Sequence, residues 1–148
     1  MIAIGCDHGG YKLKKEIERY LDEKQIEYKD FGCDSEERTD YPIYAKKVAE
    51  EVSSKRCELG ILLCRNGAGM TIVANKFKGV RAANFTSEEE TKLATSDDKI
   101  NVAVFGGDYI KTDLAIRMIR IWIATEFKGG RYQERLEMIE DIEKENMK

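Results

Sequence analysis

Cys64 closes the apolar run Gly60-Ile61-Leu62-Leu63-Cys64 and opens the loop Arg65-Asn66-Gly67-Ala68-Gly69-Met70. Gly67 and Gly69 allow a sharp turn that brings free backbone N–H groups close to a ligand. The first N–H groups of a following helix lack internal acceptors and carry partial positive charge, so the place favours an anion. The same field is expected to lower the Cys64 pKa and make the thiol a base or nucleophile. The position equally suits an inert apolar thiol at the end of a buried strand. Asp7-His8 sets a carboxylate beside the only imidazole of the chain. His8 offers a phosphate ligand or a proton carrier, or is simply a satisfied loop residue.

Several other chemistries are excluded by pattern. The loop after Cys64 lacks G-x-x-x-x-G-K-[ST] and G-x-G-x-x-G, so neither a nucleotide P-loop nor a dinucleotide cofactor is implied. Cys6, Cys33, Cys57 and Cys64 form no CxxC pair, which argues against structural zinc. A redox couple of Cys6 and Cys64, both at strand ends, has no resolving partner close in sequence.

The elements that must position these residues alternate. Strands are expected at Ile2–Cys6, Tyr28–Phe31, Leu59–Cys64, Val80–Phe85 and Val102–Phe105. Helical patterns lie between and after them, at Tyr11–Lys24, Pro42–Ser54, Gly69–Lys76, Glu88–Ser96, Thr112–Phe127 and from Arg131 to about Glu145. Continuous apolar strands alternating with helices predict an α/β fold, an open five-stranded parallel sheet covered by helices on both faces. Ligands in such sheets bind beyond the carboxyl ends of the strands. That rule selects Cys6-Asp7-His8, Cys64 to Met70, and the surroundings of Gly106-Gly107. Gly129-Gly130 is the one expected hinge, setting the last helix apart.

At 148 residues the chain suits a single domain, 1–148, with a core that needs no staple. A net charge of −3 gives no electrostatic reason for a nucleic-acid or membrane partner. The start carries no signal-peptide pattern, and Ile110 to Phe127 is interrupted by Asp113, Arg117 and Arg120. A cytoplasmic protein with reduced thiols is expected. The helix Thr112–Phe127 is apolar around more of its circumference than a surface helix should be, so part of it is expected against another subunit.

Taken together, these segments resemble the ribose-5-phosphate isomerase B / galactose-6-phosphate isomerase family over nearly the whole chain. IGCDHGGYKLKKEI is similar to its IGSDHAGxxLK, DYPIYAKKVAEEV to its DYPDxA, CRNGAGMTIVANKFKGVRAA to its CGTGxGMxIxANKxxGIRAA, and FKGGRYQERLEMI to its FEGGRHxxRxxxI. The resemblance implies a Rossmann-like three-layer sandwich whose C-terminal helix extends to a partner subunit. It also implies a homodimer or homotetramer with shared active sites, and aldose–ketose isomerisation of a phosphorylated sugar without metal or cofactor. By position, Cys64 would be the base moving the proton between C1 and C2. Asp7 and His8 would contact the sugar and phosphate, and Tyr41 would line the pocket. The loop Asn66, Gly67, Ala68, Gly69 and Met70 would hold the enediolate oxygens, and Arg131 and Arg135 would grip the phosphate from the partner subunit.

Several positions depart from the family pattern. Arg65 and Asn66 stand where it has Gly-Thr, Asp97 and Asp98 where it has His-Asn, and Asp108 where it has an arginine. Asn66 and Asp97 then occupy catalytic positions, and Asp98 a binding one. Either Arg65 and Asp97 form a re-specified pocket for a different sugar phosphate or a differently placed phosphate, or Arg65 points to solvent and Asp97 caps the end of the preceding helix. The alternatives are a four- or six-carbon sugar phosphate as substrate, or a sugar-phosphate binding protein without turnover.

Overall fold

The computed structural model describes residues 1–147. Its strands are β1 (Ile2–Cys6), β2 (Tyr28–Asp30), β3 (Leu59–Cys64), β4 (Ala82–Asn84) and β5 (Val102–Gly106). Its helices are α1 (Tyr11–Glu23), α2 (Tyr41–Ser53), α3 (Ala68–Ala74), α4 (Glu88–Asp98), α5 (Thr112–Ala124) and α6 (Arg131–Asn146), with one 3₁₀ turn at His8–Gly10. All pairings are parallel, in the order β2-β1-β3-β5-β4. The expected Rossmann-like three-layer α/β sandwich is formed.

Two-residue alternation divides the core. Ile2, Ile4, Cys6, Ile61 and Leu63 point to one face, against Leu13, Ile17 and Leu21 of α1 and Met118, Ile119 and Trp122 of α5. Ala3, Leu62, Cys64, Val102 and Val104 point to the other, against Ala45, Val48 and Val52 of α2 and Met70 and Ala74 of α3. Side chains of successive strand residues must alternate, so β1, β3 and β5 are apolar throughout because both faces are covered. Cys6 and Cys64 lie on opposite faces, which removes the redox couple between them.

The differences from expectation fall at element ends. The edge strands β2 and β4 are shorter than their apolar patterns, since each has a partner on one side only. Helix α5 stops at Ala124 because Thr125 is extended, its hydroxyl donating to Ile121 O at 2.6 Å. Pro42 sits in the first turn of α2, where its missing N–H costs nothing.

A charged cluster under α1 anchors the edge strand. The Lys14 ammonium is fully buried and donates to Asp30 Oδ1 at 2.7 Å and to Cys33 O at 2.6 Å. Glu18 is also buried, and its Oε2 has no hydrogen-bond partner among the described residues. Burial first, and then hydrogen bonding and repulsion from Asp30, push the Glu18 carboxyl up to about 7, with Lys15 and Lys14 opposing. A carboxyl raised in the folded state favours the proton there. Its stabilisation is therefore full below its unfolded value near 4.5 and is lost as pH rises through about 7. Glu18→Gln keeps a donor for Asp30 without the charge. Because Asp30 titrates in the opposite sense, the variant should gain on the order of 1–2 kcal/mol at pH 8 and none at pH 4.5. Thermal unfolding across that range checks it.

Candidate active site

Three strand ends are laced together around Cys64. The Asp7 N–H donates to Leu63 O at 3.1 Å, Gly107 N–H to Cys64 O at 2.7 Å, and Asp108 N–H to Arg65 O at 3.0 Å. The crossovers leave in opposite directions between β1 and β3, the place where open α/β sheets form a ligand crevice.

Cys64 is 5% exposed, and its Sγ accepts the Gly67 N–H at 3.1 Å. Burial pushes the thiol above its ordinary pKa. The Gly67, Met70 and Asn66 amides pull it down, and the Asp7 carboxylate adds to the rise. The expected lowering is thus reversed. Helix α3 has only seven residues, and its amides do not offset the desolvation of a thiolate.

The loop is shaped by close approach. Gly67 has φ +82°, and a methyl there would come within 2.6 Å of Asn84 Oδ1. At Gly69 a methyl would meet the Tyr41 ring at 2.4 Å and its hydroxyl at 2.9 Å. Tyr41, in the first turn of α2, therefore overhangs the start of α3. The Asn66 carboxamide oxygen accepts the Ala68 N–H at 3.0 Å, and Asn84 Nδ2 donates to Asn66 O at 2.9 Å. The Gly67 and Ala68 amides are thus occupied internally, whereas the Gly69 N–H has no intramolecular acceptor among the described residues.

Asp7 is 6% exposed and caps the 3₁₀ turn, its Oδ1 accepting the Gly9 N–H at 2.9 Å. Burial raises its pKa, opposed by the Gly9 amide and by His8. His8 Nδ1 lies 3.2 Å from both the amide nitrogen and the carbonyl oxygen of Thr39, which orients the ring and leaves Nε2 without a hydrogen-bond partner among the described residues. Arg65 lies across Gly9 and donates from Nε to Asp108 Oδ2 at 2.9 Å.

Asp97, Asp98, Arg131 and Arg135 stand elsewhere. They end α4 or begin α6, and α4 ends just ahead of the first residue of β5. In a parallel sheet that is the end opposite Cys64. Asp97 pairs with Lys128 at 3.0 Å, while the Lys128 N–H donates to Ser96 O at 2.9 Å. The hydrogen bond to Lys128 holds the Asp97 carboxyl below its usual range. Lys128, Arg131 and Arg135 surround the Tyr132 ring at 4.9, 5.2 and 5.1 Å. Asp98 is exposed on the far side, in a cleft with Ile100 and Ile139. The Arg65–Asp97 pocket is therefore not formed within one chain, because Arg65 is held by Asp108 and Asp97 by Lys128.

Sequence reasoning missed Asn84, Thr39 and Lys128. Asn84 had a usable signal, being a polar residue at the carboxyl end of a strand. Thr39 and Lys128 act through long-range contacts that no local pattern marks.

Comparison with known proteins agrees with this geometry. The family model described as Ribose/Galactose Isomerase matches residues 2–139. Ribose-5-phosphate isomerase B of Escherichia coli (strain K12) is 42% identical over 142 residues, covering 96% of this chain and 95% of that protein. The solved structure of ribose-5-phosphate isomerase B from Clostridium thermocellum superposes with a TM-score of 0.95 at 40% identity, covering 97% of each chain. That of ribose-5-phosphate isomerase B from Mycoplasma genitalium, with bound ribulose-5-phosphate, gives 0.93 at 37% identity, over 98% of this chain and 97% of that one. With its thiol held at the switch point of the sheet and this likeness over its full length, the chain belongs to the ribose/galactose isomerase family.

Proposed function

We propose that this protein is an aldose–ketose isomerase interconverting ribose 5-phosphate and ribulose 5-phosphate through an enediolate, its chain a single isomerase domain, 1–148. The observation that carries the reading is Cys64, a buried thiol at a strand end, ringed by backbone N–H groups and facing the Asp7-His8 turn. A phosphorylated pentose is supported by the E. coli relative named ribose-5-phosphate isomerase B and by the M. genitalium structure with bound ribulose-5-phosphate. As thiolate, Cys64 takes the proton from C2 of the aldose and returns it to C1. Charge developing on the substrate oxygens meets the Gly69 N–H and the Asn66 carboxamide, preorganised donors of the kind worth about 3–4 kcal/mol each. Asp7 and Tyr41 bind sugar hydroxyls and His8 Nε2 the phosphate.

Arg131, Arg135, Asp97 and Asp98 enter this scheme from a second copy of the chain. Within one subunit they stand at the opposite end of the sheet, so a site that uses them with Cys64 is shared between two subunits. Lys128 neutralises the Asp97 carboxylate and keeps the phosphate end of the shared site cationic. Incubation with ribose 5-phosphate in heavy water tests the function. Ribulose 5-phosphate carrying deuterium at C1 is expected; binding by calorimetry with no exchange would mark a binding protein instead.

Arg65 bears on which sugar is used. Its Nε is engaged by Asp108, leaving the terminal guanidinium nitrogens to meet an anion beside His8. Arg65→Gly should raise KM for the phosphorylated sugar roughly 10-fold or more, as expected when one charge-assisted hydrogen bond is removed. Steady-state kinetics on four-, five- and six-carbon sugar phosphates measure this, and unchanged KM across the panel refutes it.

A further inference from the structure

Of the four free cysteines, Cys64 belongs to the reaction proposed above, and two of the others face each other. The Sγ atoms of Cys6 and Cys33 lie 3.7 Å apart, packed in the core layer between the sheet and α1. Their backbones are already paired. Cys6 N–H donates to Gly32 O at 2.7 Å and Cys33 N–H to Cys6 O at 2.9 Å, so the Gly32–Cys33 peptide, beyond the end of β2, is held against the end of β1.

We propose that Cys6 and Cys33 form a redox dithiol that closes to an intramolecular disulfide when a peroxide reaches it. The sulfurs must move from 3.7 Å to the S–S bond length of about 2.05 Å. In the first step the Cys33 thiol loses its proton and its sulfur attacks one peroxide oxygen. The O–O bond breaks, Cys33 becomes a sulfenic acid, and one water leaves. The Cys6 sulfur then attacks the Cys33 sulfur, and the hydroxyl departs with the Cys6 proton as a second water. Two thiols and one hydrogen peroxide thus give one disulfide and two waters. A dithiol reductant returns the pair by exchange.

The surroundings assign the order of attack. Cys6 is fully buried, whereas Cys33 is 5% exposed and opens the loop leading to α2. Burial raises the Cys6 pKa strongly, against the pull of the Lys14 ammonium, so Cys6 stays protonated. Lys14 Nζ, held 2.6 Å from Cys33 O, fixes the backbone of the outer cysteine beside the pair. The consequence reaches the active site. Cys6 immediately precedes Asp7, and the loop that Cys33 opens ends at Thr39, whose backbone orients His8. Closing the bond staples these two segments and leaves Cys64, on the other face of the sheet, unmodified.

The test treats the full chain with a slight excess of hydrogen peroxide, then maps unreduced peptides by mass spectrometry and follows thermal unfolding. A Cys6–Cys33 linked peptide is expected, lost on adding dithiothreitol. A Tm rise on the order of 5–10 °C should accompany it, because the bridge constrains the unfolded chain. Neither change should occur in Cys33→Ser or in Cys6→Ser, the latter carrying the serine present in the family's opening motif. The proposal is overturned if Cys6 and Cys33 both remain alkylatable after unfolding. It is equally overturned if the oxidised product is confined to Cys64 or to bridges between chains. Neither readout involves turnover, so failure of the proposed isomerase activity leaves this result standing, and the reverse.

Discussion

Cys64→Ala should lower interconversion of ribose 5-phosphate and ribulose 5-phosphate by roughly 10²- to 10⁴-fold, the usual contribution of a positioned general base. Binding of ribulose 5-phosphate should survive within a few-fold, since the variant leaves every proposed phosphate ligand in place. The pH profile adds a second signature. Because burial raises the Cys64 pKa, the thiol is mostly protonated near neutrality. The thiolate fraction, and with it kcat/KM, should climb close to tenfold per pH unit from pH 6 to 8. The alanine variant's residual rate should lose that slope. A parent profile flat from pH 6 to 9, or a variant within fivefold of the parent, would remove Cys64 as the base.

The second large effect concerns the arginines of α6. Arg131 and Arg135 are four residues apart, stand on one helical face and flank Tyr132. Neither is paired with a carboxylate among the described residues. If both grip the phosphate as proposed, removing either guanidinium should cost about 1.5–3 kcal/mol, or roughly 10- to 150-fold in kcat/KM. The double variant Arg131→Ala/Arg135→Ala should therefore be nearly inactive. Mixing it with Cys64→Ala is the informative experiment. If each site takes Cys64 from one subunit and the arginines from the other, a hybrid pair has one intact site. Unfolding and refolding an equal mixture should restore about a quarter of parent activity. Recovery no greater than the sum of the two variants means that both halves act within one chain.

Much of the fold is legible locally. The runs Ile2–Cys6, Leu59–Cys64 and Val102–Gly106 are apolar at every position because helices cover both faces of β1, β3 and β5. The edge strands are less readable. Ala82–Asn84 is half-exposed throughout, so its apolar flanks suggest a longer strand than one neighbour supports. The glycine loop after Cys64 is visible for a similar local reason: Gly67 must adopt positive φ, and Gly69 must pass beneath Tyr41.

Electrostatics and pairing are not legible in that way. Arg65 and Asp108 are 43 residues apart and meet only because β3 and β5 are neighbours. Asp97 is turned toward Lys128 because α4 ends at the far end of a parallel sheet. Cys6 finds Cys33 rather than Cys64 because alternate residues of a strand face opposite ways. The order of residues is enough to give the alternation of elements and to place Cys64 at a strand end before a glycine loop, since both depend on near neighbours along the chain. The direction of the Cys64 pKa shift, the partner of Arg65 and the placing of Asp97, Asp98, Arg131 and Arg135 at the end of the sheet opposite Cys64 come from the folded chain. Burial and charge pairing are set by residues far apart in the chain, and only packing of the sheet brings them within reach.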